Sequence, residues 1–172
     1  MLKKMLKNKK GFTLVELMIV VLILAILLLI IVARIPQVLT RSREAKTKDH
    51  LANLRVAINN YYSTNPGIFP KSLDNTPHNI GGQDVPAFVP NYMLEIPKAR
   101  LRSHPPSGAN PNSNNVKVID TQKELMTAQD IADSNIGGWI YSSTTGEIRV
   151  NCNDLDSREK IYYSNYGHEE KE

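Results

Sequence analysis

The fold of this chain is decided by residues 9–33, which read KKGFTLVELMIVVLILAILLLIIVA. A pair of lysines and a glycine lead into a long apolar run, and no charged residue occurs from Leu17 to Ala33. A helix of about 20 apolar residues is long enough to span a bilayer. Residues 12–33 supply that length, so the sequence predicts a membrane-embedded helix near the start of the chain.

One carboxylate, Glu16, interrupts the apolar run near its beginning. A charged side chain in a spanning helix costs about 2.5–3.5 kcal/mol at the helix centre on insertion scales, less near the interface, and usually has a function. Two interpretations follow. Either Glu16 interacts favourably with the dipole at the helix N-terminus, or it has a functional partner.

An ordinary secretory signal peptide fits this segment poorly. The apolar core of a signal peptide has about 7–15 residues and is followed by a small-x-small cleavage site. The run here is longer, and residues 31–34 (IVAR) offer no such site.

Residues 9–21 resemble the class III leader and N-terminus of type IV pilins and type II secretion pseudopilins. The shared pattern is basic residues, a glycine, an aromatic residue, three further residues and a glutamate before a long apolar run. The resemblance implies that a prepilin peptidase cuts after Gly11 and methylates Phe12 at its new amino terminus. It also implies that Glu16 pairs with the N-terminal amine of a neighbouring subunit during assembly.

The chemistry of the cut agrees with that role. Cleavage after Gly11 would remove the leader lysines and create an amine within one helical turn of Glu16. An isolated charge in lipid is costly and a paired one less so. A neighbour displaced along a filament could therefore satisfy Glu16 and fix the register of assembly.

The predicted fold is α+β, with a long N-terminal helix packed on a small antiparallel sheet domain, as in the pilin fold. The expected parts are a cleaved leader 1–11, a hydrophobic assembly helix 12–35, an amphipathic stalk helix 36–63 and a globular domain 64–172. Pro36 predicts a kink, because proline lacks the backbone donor and clashes with the preceding turn. Many relatives carry this proline three positions earlier, at the place of Ala33.

The stalk continues the helical spacing of apolar residues. Its predicted stripe consists of Ile35, Val38, Leu39, Leu51, Leu54, Ile58 and either Tyr61 or Tyr62.

The globular region begins with a predicted variable loop, 64–115, rich in Pro, Asn, Gly and Ser, with short helical turns near 72–73 and 87–93. A strand is predicted at 116–119 and a short helix at 122–132. Alternating residues around a turn that ends in glycine predict a β-hairpin at about 138–151. Trp139, in this hairpin, is expected to pack in the core.

Catalytic chemistry is not indicated. The sequence has no phosphate-binding loop, metalloprotease helix or nucleophile elbow, so we expect a protein that is not an enzyme. Cys152 is the sole cysteine, which excludes an intramolecular disulfide, and we expect it to be a buried residue at a strand end.

No cofactor is expected, apart from a weaker calcium hypothesis at Asp154 and Asp156. Calcium prefers several oxygen ligands, and these residues lie in an oxygen-rich segment. Because Asn and Asp side chains also stabilise turns, the turn interpretation is favoured.

Charge is unevenly distributed along the chain. Residues 34–55 contain six basic and two acidic residues, whereas residues 56–172 contain ten basic and fourteen acidic residues. A nucleic-acid surface needs a basic patch on the folded domain, so no nucleic-acid partner is expected. The acidic domain could instead meet the basic stalks of neighbouring copies.

These features predict a structural subunit of a helical filament, either a surface type IV pilus or a secretion pseudopilus. Expected partners are copies of the chain, other pilin-like subunits, prepilin peptidase, an inner-membrane assembly platform and the bilayer. The expected location is the bacterial inner membrane, with the N-terminus cytoplasmic and the C-terminal domain periplasmic, followed by the filament. The alternatives are a minor pilin that binds DNA or a surface, and a simple signal-anchored periplasmic protein.

Overall fold

The computed structural model describes residues 11–32, 34–65, 67–102, 107–120 and 136–162. The chain divides into two compact units, Met1–Val38 and Leu39–Glu172. Within the described residues the elements are two helices followed by short strands. The predicted α+β class is therefore confirmed.

Helix α1 spans Leu14–Val32 and is apolar on every side. None of its residues is buried within the chain. At 1.5 Å per residue its 19 residues extend about 29 Å, close to the thickness of a bilayer hydrocarbon core. Its length and composition thus suit a membrane span.

Helix α2 spans Ile35–Thr64, so the single helix expected from residue 12 to residue 63 is two helices in the structure. Pro36 lies in the first turn of α2. Proline is tolerated there, because the first backbone N–H groups of a helix have no partner within the helix. A kink at Pro36 stays a prediction.

The C-terminal part of α2 carries the core stripe of the second unit. The predicted burial of Leu51, Leu54, Ile58 and Tyr61 is confirmed, with at most 3% of each residue exposed. At the start of the stripe the side chains are exposed within the single copy, with exposed fractions of 47% for Ile35, 63% for Val38 and 54% for Leu39.

The buried stripe continues towards the helix N-terminus through two polar residues, Thr47 and Glu44, which are 0% and 5% exposed. Positions 44, 47, 51, 54, 58 and 61 alternate in steps of three and four, as one helix face requires. The buried face of α2 is therefore apolar from Leu51 to Tyr61 and polar at Glu44 and Thr47, which are equally well buried.

In the described residues after α2 there are seven short strands: β1 His78–Ile80, β2 Gln83–Val85, β3 Ala99–Arg100, β4 Asn112–Ser113, β5 Val116–Ile119, β6 Trp139–Ser142 and β7 Ile148–Val150. The β1–β2 and β3–β4 pairs are antiparallel ribbons inside the region predicted as a variable loop. In that region Tyr92 N donates to Phe88 O over 2.9 Å, which closes a hydrogen-bonded turn, and residues 87–93 contain no helix. Residues 71–75 contain bends and no helix.

The central sheet has the order β5–β6–β7. Strand β5 confirms the prediction for 116–119, and it pairs in parallel with β6, with Val116 opposite Trp139. Strands β6 and β7 pair antiparallel, with Tyr141 opposite Ile148. The sheet is therefore mixed, where the sequence predicted only antiparallel pairing. The predicted helix at 122–132 lies outside the described residues.

The core of the second unit forms between the buried stripe of α2 and the central sheet. All four residues of β6 are buried, and Trp139 belongs to the same core cluster as Leu51 and Leu54. Two polar groups from β6 find backbone acceptors: Trp139 Nε1 donates to Pro97 O over 2.7 Å and Tyr141 OH to Pro70 O over 2.8 Å. Burial raises the pKa of the Tyr141 hydroxyl well above its ordinary value.

Gly146 ends the turn between β6 and β7 and is required there for two reasons. Its φ of 73° lies in the left-handed region that glycine adopts without strain. A Cβ at this position would lie 2.2 Å from Cε1 of Phe69. The turn can therefore close against the Phe69 ring only with glycine at this position.

Candidate processing and assembly site

The start of the first unit contains the residues of the predicted processing and assembly motif. Gly11 is exposed and precedes the helix. A Cβ built on it would meet no atom within 4 Å in the described structure. Packing within the described chain therefore does not require glycine at this position. A requirement for glycine would have to come from a partner that binds this part of the chain.

Phe12 is 82% exposed, which makes it the most exposed large apolar residue of the first unit's described part. It lies two residues before α1 begins at Leu14. The Gly11–Phe12 peptide bond is thus in accessible, non-helical chain, as cleavage by a peptidase would need.

Thr13 and Glu16 form a capping box at the start of α1. Thr13 Oγ1 accepts a hydrogen bond from Glu16 N over 3.2 Å, and Glu16 Oε2 accepts one from Thr13 N over 3.5 Å. This reciprocal pair satisfies backbone donors that the first helical turn leaves without partners. The sequence contained the signal, since Thr followed by Glu three residues later is the capping-box pattern.

The capping box gives Glu16 a local partner in addition to the proposed intermolecular one. The 3.5 Å contact is long for an N–H···O bond, so the carboxylate is held loosely. Its acceptor position faces the amide that directly follows Phe12. A carboxylate in this place can accept from its own chain or from a positively charged group of another.

The two residues of the calcium hypothesis, Asp154 and Asp156, lie in the second unit, and both accept hydrogen bonds from other groups of the chain. Asp154 accepts from Ser107 Oγ over 2.5 Å and from Ser107 N. Asp156 Oδ1 accepts from Arg158 N over 2.8 Å and from Lys160 N over 3.0 Å. Within the described ranges, no three His, Cys, Asp or Glu residues are grouped so as to hold a metal. Calcium binding at Asp154 and Asp156 stays an untested prediction.

Cys152 is buried, which confirms the expectation for this residue, and it lies two residues beyond β7. Burial raises the pKa of its thiol to about 12, with a further contribution from Asp154. Thiolates are the reactive form of cysteine, so burial and the raised pKa both disfavour a role for Cys152 as a nucleophile.

The sequence reasoning missed a buried carboxylate in the basic part of the stalk. Glu44 Oε1 accepts from Ser157 N over 2.8 Å and from Tyr162 OH over 3.0 Å, while Oε2 accepts from Ser157 Oγ. These bonds join α2 to the last described segment of the chain. The three- and four-residue steps of the buried stripe pass through Glu44, and extending them back from Leu51 would have found it.

Comparison with known proteins supports the motif at the start of the chain. Residues 6–32 match the family described as the prokaryotic N-terminal methylation motif. The chain therefore carries the class III prepilin leader of type IV pilins and pseudopilins. The match ends with α1. No curated protein and no solved structure matches the chain.

The motif supports a precursor of the type IV pilin-like or pseudopilin kind. Its apolar helix and its prepilin motif both fit anchoring in a membrane.

Proposed function

We propose that this chain is cut between Gly11 and Phe12, methylated at Phe12 and assembled through α1 into a type IV pilus-like filament. The observation that carries the proposal is the methylation motif at 6–32 joined to a helix with no buried residue. A helix that is apolar all round is normally surrounded by lipid or protein. Lipid would surround α1 before assembly and neighbouring copies would surround it afterwards.

In this proposal Glu16 exchanges its loose local bond for the charged amine of a neighbouring copy. A charged amine attracts the carboxylate more strongly than the neutral Thr13 N–H does, because both partners then carry a charge. The exchange therefore favours the assembled state without removing a strong interaction from the monomer. The partners are other copies or related pilin-like subunits, the prepilin peptidase and the inner-membrane assembly platform. The domain from residue 39 onward would lie in the periplasm before assembly.

The first test is the mass of the N-terminal peptide in sheared surface material and in washed membranes from native cells. We expect a peptide that begins at N-methylated Phe12. Its presence in the sheared fraction would indicate a surface pilus, and its restriction to membranes a secretion pseudopilus. A peptide that begins at Met1 in both fractions would contradict the proposal and leave a simple anchored protein.

The second test separates the two roles of Glu16. Thr13→Val removes the hydroxyl of the capping box and leaves Glu16 in place, whereas Glu16→Gln keeps the shape and removes the charge. If Glu16 pairs with a neighbour's amine, Glu16→Gln abolishes filaments and Thr13→Val reduces their yield only slightly. Equal losses in both variants would show that capping, and not pairing, is what assembly needs.

A further inference from the structure

The last described segment of the second unit forms a tight hairpin. Leu155 and Ile161 pair as an isolated antiparallel bridge. Inside this bridge Asp156 N donates to Lys160 O over 2.7 Å. Asp156 Oδ1 also accepts from the backbone N–H groups of Arg158 and Lys160 over 2.8 and 3.0 Å. The hairpin is therefore held in shape by bonds within itself.

The hairpin exposes apolar and basic side chains together. Leu155 is 46% exposed and Ile161 36% exposed. Residues directly opposite each other in an antiparallel pair lie on the same face, so these two side chains are neighbours at the surface. Arg158 and Lys160 are exposed as well. Exposed apolar groups beside Lys and Arg are typical of segments that bind at a membrane interface, where the apolar groups enter the headgroup boundary and the cations attract anionic lipids.

Helix α2 adds further cations next to the hairpin. Ser157 donates to the Glu44 carboxylate from its backbone N–H over 2.8 Å and from its hydroxyl, which fixes the hairpin to the helix. Residues 41–48 of the helix contain four basic residues and one acidic residue. The helix and the hairpin line a common cavity of about 90 Å³ with Arg41, Glu44, Ala45, Lys48, Asp156 and Arg158. Basic side chains from two distant parts of the chain therefore meet in one place.

The same basic part of α2 is tied to the membrane helix by a short piece of chain. Arg41 is the ninth residue after Val32, where α1 ends. Nine residues span at most about 32 Å, so a bilayer that holds α1 is always close to this part of the second unit. Because one chain then makes both contacts, the second contact is intramolecular, and a weak attraction is enough to populate it.

We propose that the hairpin and the adjacent part of α2 form a surface that docks on anionic lipid headgroups while α1 is in the membrane. This basic surface consists of Arg41, Lys48, Leu155, Arg158, Lys160 and Ile161. A bilayer fits it, because the cations match the charged headgroups and the apolar pair matches the boundary beneath them. The proposal shares with the proposed function the need for α1 in a bilayer, but it requires neither cleavage at Gly11 nor a filament.

The test uses the full-length chain in nanodiscs that hold one chain each. The discs contain phosphatidylcholine alone or phosphatidylcholine with phosphatidylglycerol, and a trace of lipid carries gadolinium chelated at its headgroup. Gadolinium broadens the nuclear magnetic resonance signals of amides that come close to the headgroups. We expect at least twofold greater signal loss at the amides of Arg158 and Lys160 in the anionic discs, and we expect added salt to reverse it.

Substitutions separate the contributions of charge and apolar contact. Arg158→Gln combined with Lys160→Gln should weaken docking by about 30-fold, since each cation near an anionic surface contributes about fivefold. Lys71→Gln, an exposed lysine outside the basic surface, is the matched control and should change nothing. Leu155→Ser should keep the salt dependence and reduce the signal loss that remains at high salt.

Three results would overturn the proposal. The first is equal signal loss in neutral and anionic discs, and the second is equal docking by the double variant and the control. The third is signal loss that appears only in discs with more than one chain, which would assign the surface to a second copy. Failure to find N-methylated Phe12 in native cells would count against the proposed function and leave these results standing.

Discussion

The two described helices, of 19 and 30 residues, differ in where their apolar side chains find partners. Helix α1 has no buried residue within the chain, and α2 buries seven: Glu44, Thr47, Leu51, Leu54, Ala57, Ile58 and Tyr61. An apolar side chain in α2 is therefore stabilised by its own domain. One in α1 must be stabilised by something outside the chain. An exposed apolar residue in α1 therefore indicates a partner outside the chain, whereas the buried apolar residues of α2 have their partners inside the domain.

The largest expected effect comes from the same substitution made in both helices. Leu54 is 0% exposed and Leu24 is 53% exposed. Leu54→Ala should lower the free energy of unfolding of the domain by about 2–5 kcal/mol, because it leaves a cavity in the core. Leu24→Ala should leave that free energy unchanged. Denaturant unfolding of both variants in detergent, followed by Trp139 fluorescence, would check this, and equal effects would break the distinction between the helices.

A charge placed on an exposed position in each helix sharpens the comparison. Leu24 and Val56 have nearly the same exposure, 53% and 58%. Leu24→Lys should weaken membrane insertion by about 2.5–3.5 kcal/mol if α1 spans the bilayer. Val56→Lys should change domain stability by less than about 0.5 kcal/mol, as surface substitutions usually do. An insertion assay in which Leu24→Lys enters the membrane as readily as the unaltered chain would contradict the assignment of α1 to lipid.

A substitution of Glu44, at the polar start of the buried stripe, should cause a smaller loss of stability. Glu44→Gln places an amide donor among the donors of Ser157 and Tyr162, so a buried group loses its acceptor. We expect the free energy of unfolding to fall by about 1–3 kcal/mol. Glu159→Gln is the matched control, since Glu159 is exposed. Identical denaturation midpoints for the two variants would show that the bonds to Glu44 contribute nothing.

The smallest expected effect is a dependence of the domain's free energy of unfolding on pH. Burial raises the pKa of Asp74, but hydrogen bonds from Thr76 and Ser72 outweigh it and hold the pKa below the ordinary 3.8. The unfolded chain then binds the proton more readily, so this stabilisation is complete above 3.8 and is lost as the pH falls through the folded-state pKa. Asp74→Asn should remove this part of the acid sensitivity. Parallel pH profiles for the variant and the unaltered chain would contradict it.

The sequence predicted what depends on long patterns and local chemistry. An apolar run of this length specifies α1, and periodic Leu51, Leu54 and Ile58 specify the buried face of α2. The strand at 116–119 follows from alternation and branched side chains. The methylation motif was recognisable because its residues are adjacent in the chain.

What could not be predicted depends on contacts between residues far apart in sequence. Parallel pairing of β5 with β6 is decided by the fold around them, and no local pattern records it. The ribbons β1–β2 and β3–β4 are too short to show alternation. Thr47 and Arg100 meet across 53 residues. A contact of this kind cannot be read from the sequence before the fold is known.

The bonds at Glu44 have a consequence for how the protein is made. The Glu44 carboxylate accepts hydrogen bonds from Ser157 and Tyr162, which follow it by 113 and 118 residues in the chain. During synthesis α2 is therefore made long before the residues that donate hydrogen bonds to Glu44. A chain interrupted before residue 157 keeps a carboxylate that favours water over burial. We therefore expect the domain of a chain that ends before residue 157 to be less stable than that of the complete chain.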